Sequence, residues 1–234
     1  MIDRSKTPAG LPERCVMTFF AQVIADVCAD APVLSSLGSE LGAHPVYQLD
    51  HDGQQIAVIH AGLGAPLSAA LLEELIALGC RKFVACGGAG VLDSSIPVGH
   101  VVVPTSAVRD EGTSYHYLPP GREVAPSAAG VAAIEATLTA NDIPYLTGKT
   151  WTTDAIYRET PAKIARRRGE GCLTVEMEAA AFFAVAQFRE VTFAQLLYGG
   201  DDVGGDTWDH RGWVAQTSTR EKLFWLAVES AVRL

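Results

Sequence analysis

Apolar positions along the chain fall into two kinds of run. Some are short and continuous, as in buried strands; others recur three or four residues apart, as on one face of a helix. Residues Met1 to Leu11 read as a loose arm. From Glu13 to Cys28 the spacing of Val16, Phe19, Phe20, Val23 and Val27 predicts a helix. Val46 to Leu49 and Ile56 to Ile59 flank His51-Asp52-Gly53, the signature of a hairpin closed by Asp-Gly. Gly62-Leu63-Gly64-Ala65-Pro66 then breaks the strand. Leu67 to Leu78 predicts a helix, with Pro66 suited to its first turn and Gly79 to its stop. Lys82 to Cys86 is a short apolar strand ending in Gly87-Gly88-Ala89-Gly90, and His100 to Val103 is another, closed by Pro104.

The second half continues the alternation. Helices are predicted over Ala128 to Ala140, Pro161 to Arg168, Glu178 to Arg189 and Thr219 to Val232. Strands are predicted near Tyr145 to Trp151, Leu173 to Val175 and Val191 to Tyr198. Strands alternating with helices imply an α/β fold, a mixed central sheet flanked by helices on both faces. With 234 residues and no Ser/Gly/Pro linker or charge run, the expectation is one domain over 1–234. Ligands on such sheets sit where strands end and loops begin, so the informative residues are sought there.

Charge and composition narrow the function classes. A formal net charge of -9 opposes a phosphate-backbone footprint, so no nucleic-acid partner is expected. The short basic run Arg166-Arg167-Arg168 reads as a solvated helix face. The five cysteines show no CxxC spacing, which argues against a disulfide framework and a zinc site. The longest apolar run, Ala179 to Ala186, is too short to span a bilayer, and no secretory signal is evident at the start. A cytoplasmic enzyme with no membrane partner is the expectation.

Five segments are able to carry chemistry. Gly62-Leu63-Gly64 and Gly87-Gly88-Ala89-Gly90 each follow a strand; glycines there permit either a tight turn or packed backbone, or close approach of a ligand. The first lacks the third glycine of a dinucleotide fingerprint. In Thr174-Val175-Glu176-Met177-Glu178-Ala179 two carboxylates flank a methionine where a strand meets a helix. The helix dipole accounts for Glu178, whereas a carboxylate at a strand end can also accept hydrogen bonds from the vicinal hydroxyls of a ribose. In Tyr198-Gly199-Gly200-Asp201-Asp202 two adjacent acids follow a strand; like charges so close raise one pKa, as a general acid requires. Asp206, Asp209 and His210 follow, but their spacing is not that of a calcium loop, and no metal is expected. Trp151 ends a strand beside Thr152-Thr153-Asp154 and reads as a base-stacking platform or as core.

Together these segments resemble the nucleoside phosphorylase superfamily, the purine and uridine phosphorylase type with its nucleosidase relatives. Val175-Glu176-Met177-Glu178-Ala179 is the most specific match, joined by Gly62-Leu63-Gly64-Ala65-Pro66, by Gly87 to Gly90, and by Val108 to His116, which is similar to the uridine phosphorylase branch. The resemblance implies a three-layer fold in a homo-oligomer, dimer or hexamer. It implies a ribose site at Glu178, Met177 and Glu176, base contacts at Trp151 and Asp202, and a catalytic acid at Asp201. The phosphate or nucleophile side would lie at Gly62, Gly64, Gly87, Gly88, Arg109 and His116. No cofactor is implied beyond inorganic phosphate as co-substrate.

The chain departs from the phosphorylase pattern at Ala85 and Gly88, where an arginine and a hydroxyl residue stand, and it has no glycine-aspartate-proline loop before Ile56. The expected activity is cleavage of a nucleoside at its N-glycosidic bond. Phosphorolysis to free base and ribose 1-phosphate is preferred. A hydrolytic nucleosidase using water is the first alternative, and a non-catalytic nucleoside-binding module the second.

Overall fold

The computed structural model describes residues 10–234. Residues 1–9 of the expected arm therefore lie outside the described residues, while Leu11 is tied down by donating its N–H to the Leu78 carbonyl at 3.0 Å.

The core is built on four parallel strands: β1 (Arg14–Thr18), β4 (Gln54–His60), β5 (Lys82–Val91) and β10 (Thr192–Asp202). Their apolar runs are buried on both faces, as parallel strands between helical layers must be. Two antiparallel strands, β2 (Val33–Ser39) and β3 (Gly42–His51), extend the sheet beyond β4. The Asp-Gly hairpin joins β3 to β4, with Asp52 and Gly53 both at positive φ as such a turn demands. On the other side run β6 (Val101–Asp110), β8 (Tyr145–Thr153) and β9 (Cys172–Glu176), with the short β7 (Glu123–Val124) on β6.

The ten-stranded sheet closes on itself. β10 pairs with both β5 and β6, β8 lies between β6 and β9, and β9 returns antiparallel to β5. Five strands thus form a ring, with β1, β4, β3 and β2 as an open wing. Helices α2 (Ala65–Leu78) and α5 (Ala179–Arg189) bury one face, with Phe83, Phe182, Phe183 and Phe193 in that core. Helices α1 (Ala21–Val27), α3 (Ala128–Ala140) and α6 (Thr217–Val232) bury the other. The expected mixed sheet between helical layers is present, and α4 (Pro161–Gly169) lies outside the ring beside β9.

Three local expectations need correction. The helix predicted over Glu13 to Cys28 is β1 followed by the shorter α1. Cys15, Val16 and Met17 are all fully buried between β4 and β5, and a short continuous apolar run does not distinguish strand from helix by period. The second glycine run does not follow a strand but lies inside β5. Finally, Pro104 does not close β6; the strand continues to Asp110 across a register shift between Pro104 and Ser106, the kind of irregularity at which a sheet tolerates proline. Strand β2, absent from the sequence reading, is a weakly patterned edge with Val33 exposed.

Candidate active site

A cleft of about 400 Å³ opens at the C-terminal ends of β1, β5 and β10, facing the start of α5. Its volume is in the range of small-molecule sites. Phe19, Gly88, Met177, Glu178, Gln195 and Asp201 are among its lining residues.

The β9–α5 junction builds one end. Glu176 is the last residue of β9, and its carboxylate turns toward the helix start. One oxygen accepts from the Glu178 and Ala179 N–H groups at 2.7 and 2.6 Å; the other accepts from the Thr152 and Thr150 hydroxyls at 2.7 and 3.3 Å. It therefore caps α5 through the Glu178 and Ala179 N–H groups, while the Ala180 N–H donates to the Thr152 hydroxyl at 2.9 Å. Glu178, nearly buried, accepts from the Gly64 N–H at 2.7 Å and the Met177 N–H at 3.2 Å. Burial first, then the neighbouring Glu176, pushes Glu178 up to about 8 against those hydrogen bonds. Burial likewise raises Glu176. Gly62 and Gly64 hold positive φ, which shapes the loop that brings the Gly64 N–H across to Glu178.

Acids and aromatics build the other end. Asp201, near the end of β10, accepts from the Trp208 indole N–H at 2.6 Å. Glu159, ahead of α4, also lines the cleft, and burial followed by repulsion from Asp201 pushes its carboxyl up to about 7. Arg220 of α6 lies between the rings of Phe20 and Trp213, 5.6 and 5.3 Å from their centroids, and donates to the Tyr198 hydroxyl and the Trp213 carbonyl. Ile156 and Trp213 add apolar surface.

The structure brings Glu176, Met177, Glu178, Gly88 and Asp201 to one cleft and leaves the other expected site residues out of it. Asp202 points away: its carboxylate takes Arg211 at 2.6 Å and the Gly204 N–H at 2.8 Å, so the raised acid beside Asp201 is Glu159. Trp151 is fully buried with Val108, Cys172 and Val175, with Arg167 5.2 Å above its ring and Asp110 accepting its N–H. It is core, not a base platform. The N–H groups of Gly62 and Gly64 are committed to His60 and Glu178, so this loop is not an anion nest. Gly87 and Gly88 make room for rings: a Cβ on Gly87 would stand 2.7 Å from Phe19, and one on Gly88 3.0 Å from Tyr198. Arg109 is buried, donating to Ser114 Oγ and to the carbonyls of Leu118 and Pro119, with the Tyr115 ring 4.1 Å away. His116 lies in a separate, more open groove against α2.

Among the lining residues that escape the sequence reading are Phe19, Glu159, Gln195 and Arg220. Phe19 was hidden by the helical misreading of its segment. Glu159 precedes a helix start, where the dipole favours an acid, and Arg220 lies in the first turn of α6 with no motif around it. Gln195 alone carried a signal, as a polar side chain within an apolar strand.

The family model of the phosphorylase superfamily matches residues 13–229. A guanosine phosphorylase from Halorubrum lacusprofundi is 29% identical over 192 residues, which cover 80% of this chain and 78% of that protein. In fold, a purine nucleoside phosphorylase from Toxoplasma gondii superposes with a TM-score of 0.83 at 20% identity, over 100% of this chain and 98% of that one. An AMP nucleosidase from Bacteroides thetaiotaomicron superposes with a TM-score of 0.76 at 20% identity, over 94% and 87%. With a match across nearly its whole length and the β9–α5 carboxylates in place at the cleft, the chain belongs to the phosphorylase superfamily.

Proposed function

We propose that this chain cleaves the N-glycosidic bond of a nucleoside, with the sugar at Glu178 and Met177 and the base toward Asp201 and Glu159. The observation that carries this is a single cleft holding a buried carboxylate at one end and a pair of acids at the other. An oxygen nucleophile forms its bond to C1′ as the C1′–N bond breaks, and the electron pair of that bond leaves on the base. The base takes up a proton from the Asp201–Glu159 pair; Glu159, at about 7, carries one near neutrality. The sugar passes through an oxocarbenium-like state, and Glu178, which burial pushes up to about 8, is mainly in its acid form near neutrality and holds the sugar by hydrogen bonding.

Phosphorolysis is the first reading, supported by the guanosine phosphorylase relative. It yields free base and sugar 1-phosphate, with inorganic phosphate as co-substrate. Hydrolysis is the second, and one observation favours it: the Phe19 ring lies on Gly87, where an anion would otherwise approach the strand. The test is release of free base from a panel of purine and pyrimidine nucleosides, with phosphate absent and saturating, and direct assay of the sugar. A rate that saturates in phosphate and gives sugar 1-phosphate supports phosphorolysis. A phosphate-independent rate giving free sugar selects hydrolysis. Tight nucleoside binding with no turnover would sink the enzymatic reading.

A further inference from the structure

Gln195 stands in the middle of β10, flanked along the strand by Ala194 and Leu196, and is 1% exposed. Its side chain shares a face with Phe193 and Leu197, and its neighbour across the sheet is Ala85 of β5. Neither the amide nitrogen nor the amide oxygen has a hydrogen-bond partner in the protein. Among the described residues, several buried side chains have an unpartnered polar atom, and of these Gln195 alone lines the cleft.

A buried amide left unpaired loses its hydration without recompense, so such a group in a native core requires an explanation. Ala85 offers it no polar atom, and Phe19, seated on Gly87 two residues further along β5, offers it a ring. The carboxylate oxygens of Glu176 and Glu178 already accept backbone N–H groups. The remaining source of partners is what enters the cleft. An amide presents a donor and an acceptor side by side, which matches an oxygen that bears its own hydrogen and also has free lone pairs.

We propose that the Gln195 carboxamide holds the attacking oxygen on the floor of the cleft, its NH2 donating to a hydroxyl-bearing nucleophile and its carbonyl accepting from it. Water and hydrogen phosphate both have this chemistry. Gln195 aims a lone pair of the bound oxygen at C1′ as the base departs toward Asp201 and takes its proton from the Asp201–Glu159 pair; hydrogen phosphate attacks through an unprotonated oxygen and keeps its proton, whereas the proton of an attacking water passes to the carboxylate that this transfer leaves on the pair. The inference rests on the proposed N-glycosidic cleavage.

The experiment compares wild type with Gln195→Met, an unbranched apolar residue of similar size, on a nucleoside that the wild type cleaves. Removing a positioned donor typically lowers kcat by about 10²–10³-fold. That loss is expected here, with unchanged affinity for a non-reacting nucleoside analogue and a Tm no lower than wild type. A purely structural amide would not separate these readouts. If the oxygen comes from phosphate, the variant also raises the KM for phosphate and sugar 1-phosphate remains the product. If it comes from water, the phosphate-independent rate falls and the product is free sugar. Wild-type kcat in folded Gln195→Met overturns the proposal. Should the variant not fold, a crystal structure of wild type with the analogue decides: an amide bonded only to protein, or to a water remote from C1′, overturns it too. A wild type inactive on every nucleoside would instead overturn the proposed function.

Discussion

Four carboxylates face the same cleft, and among the described residues Glu176 accepts four hydrogen bonds, Glu178 two, Asp201 one and Glu159 none. Glu176 and Glu178 are held in place by their donors, whereas Glu159 is half-buried and unpaired, carries a proton near neutrality and is free to transfer it. Asp201→Asn is expected to lower kcat by about 10²–10⁴-fold with little change in KM, as for loss of a general acid. Glu159 makes the pH dependence specific. Its acid form is present below about 7 and lost above, so the rate should fall on the alkaline side of that value. A pH profile of kcat for Glu159→Gln should lack that limb; an unchanged limb would remove Glu159 from proton transfer. The pairing of Glu176 with Glu178 was legible because both lie within one short segment. Glu159 was not, because both its burial and the repulsion from Asp201, distant in sequence, arise only in the fold.

At the scale of elements, the junction of β9 with α5 does most to position the site. Glu176 ends the strand and caps the helix with the same side chain, so this end of the cleft is fixed where the two elements meet. Glu176→Ala would leave two helix N–H groups and two threonine hydroxyls without their acceptor. A loss of at least about 2 kcal/mol is expected from such orphaned groups. Urea denaturation should show it as a lower midpoint at unchanged slope, and an unaltered midpoint would contradict the capping role. The long helices α2, α3, α5 and α6 were legible to within two residues of their ends, because apolar faces and glycine or proline boundaries mark them. Strand β1 was not, since four successive buried positions, Cys15 to Thr18, carry no distinguishing period. Nor were the glycines of β5: sequence offers ligand approach or close packing, and Phe19 and Tyr198 decide for packing.

For the whole molecule, the order of strands was the least legible feature. Alternating strands and helices predict a mixed sheet, but the closure of β9 onto β5 depends on contacts that no local pattern encodes. Assembly is the remaining question at this scale. Leu63 is 72% exposed at the cleft, and Ile156 and Tyr157 stand exposed nearby in sequence to Glu159. Apolar side chains around a binding site suit coverage by a second copy, so a homo-oligomer is expected. Light scattering should give a multiple of the 24.8 kDa chain mass, and a monomer mass at micromolar concentration would refute it. The ring has a further consequence. Its closing pair is short, Gly90 with Val175 and Val91 with Thr174, and Gly90 and Val175 also line the cleft. The cleft therefore straddles a seam where the ring is held by two rungs. A bound nucleoside would act as a clasp across that seam, so occupancy of the site and rigidity of the barrel would rise together.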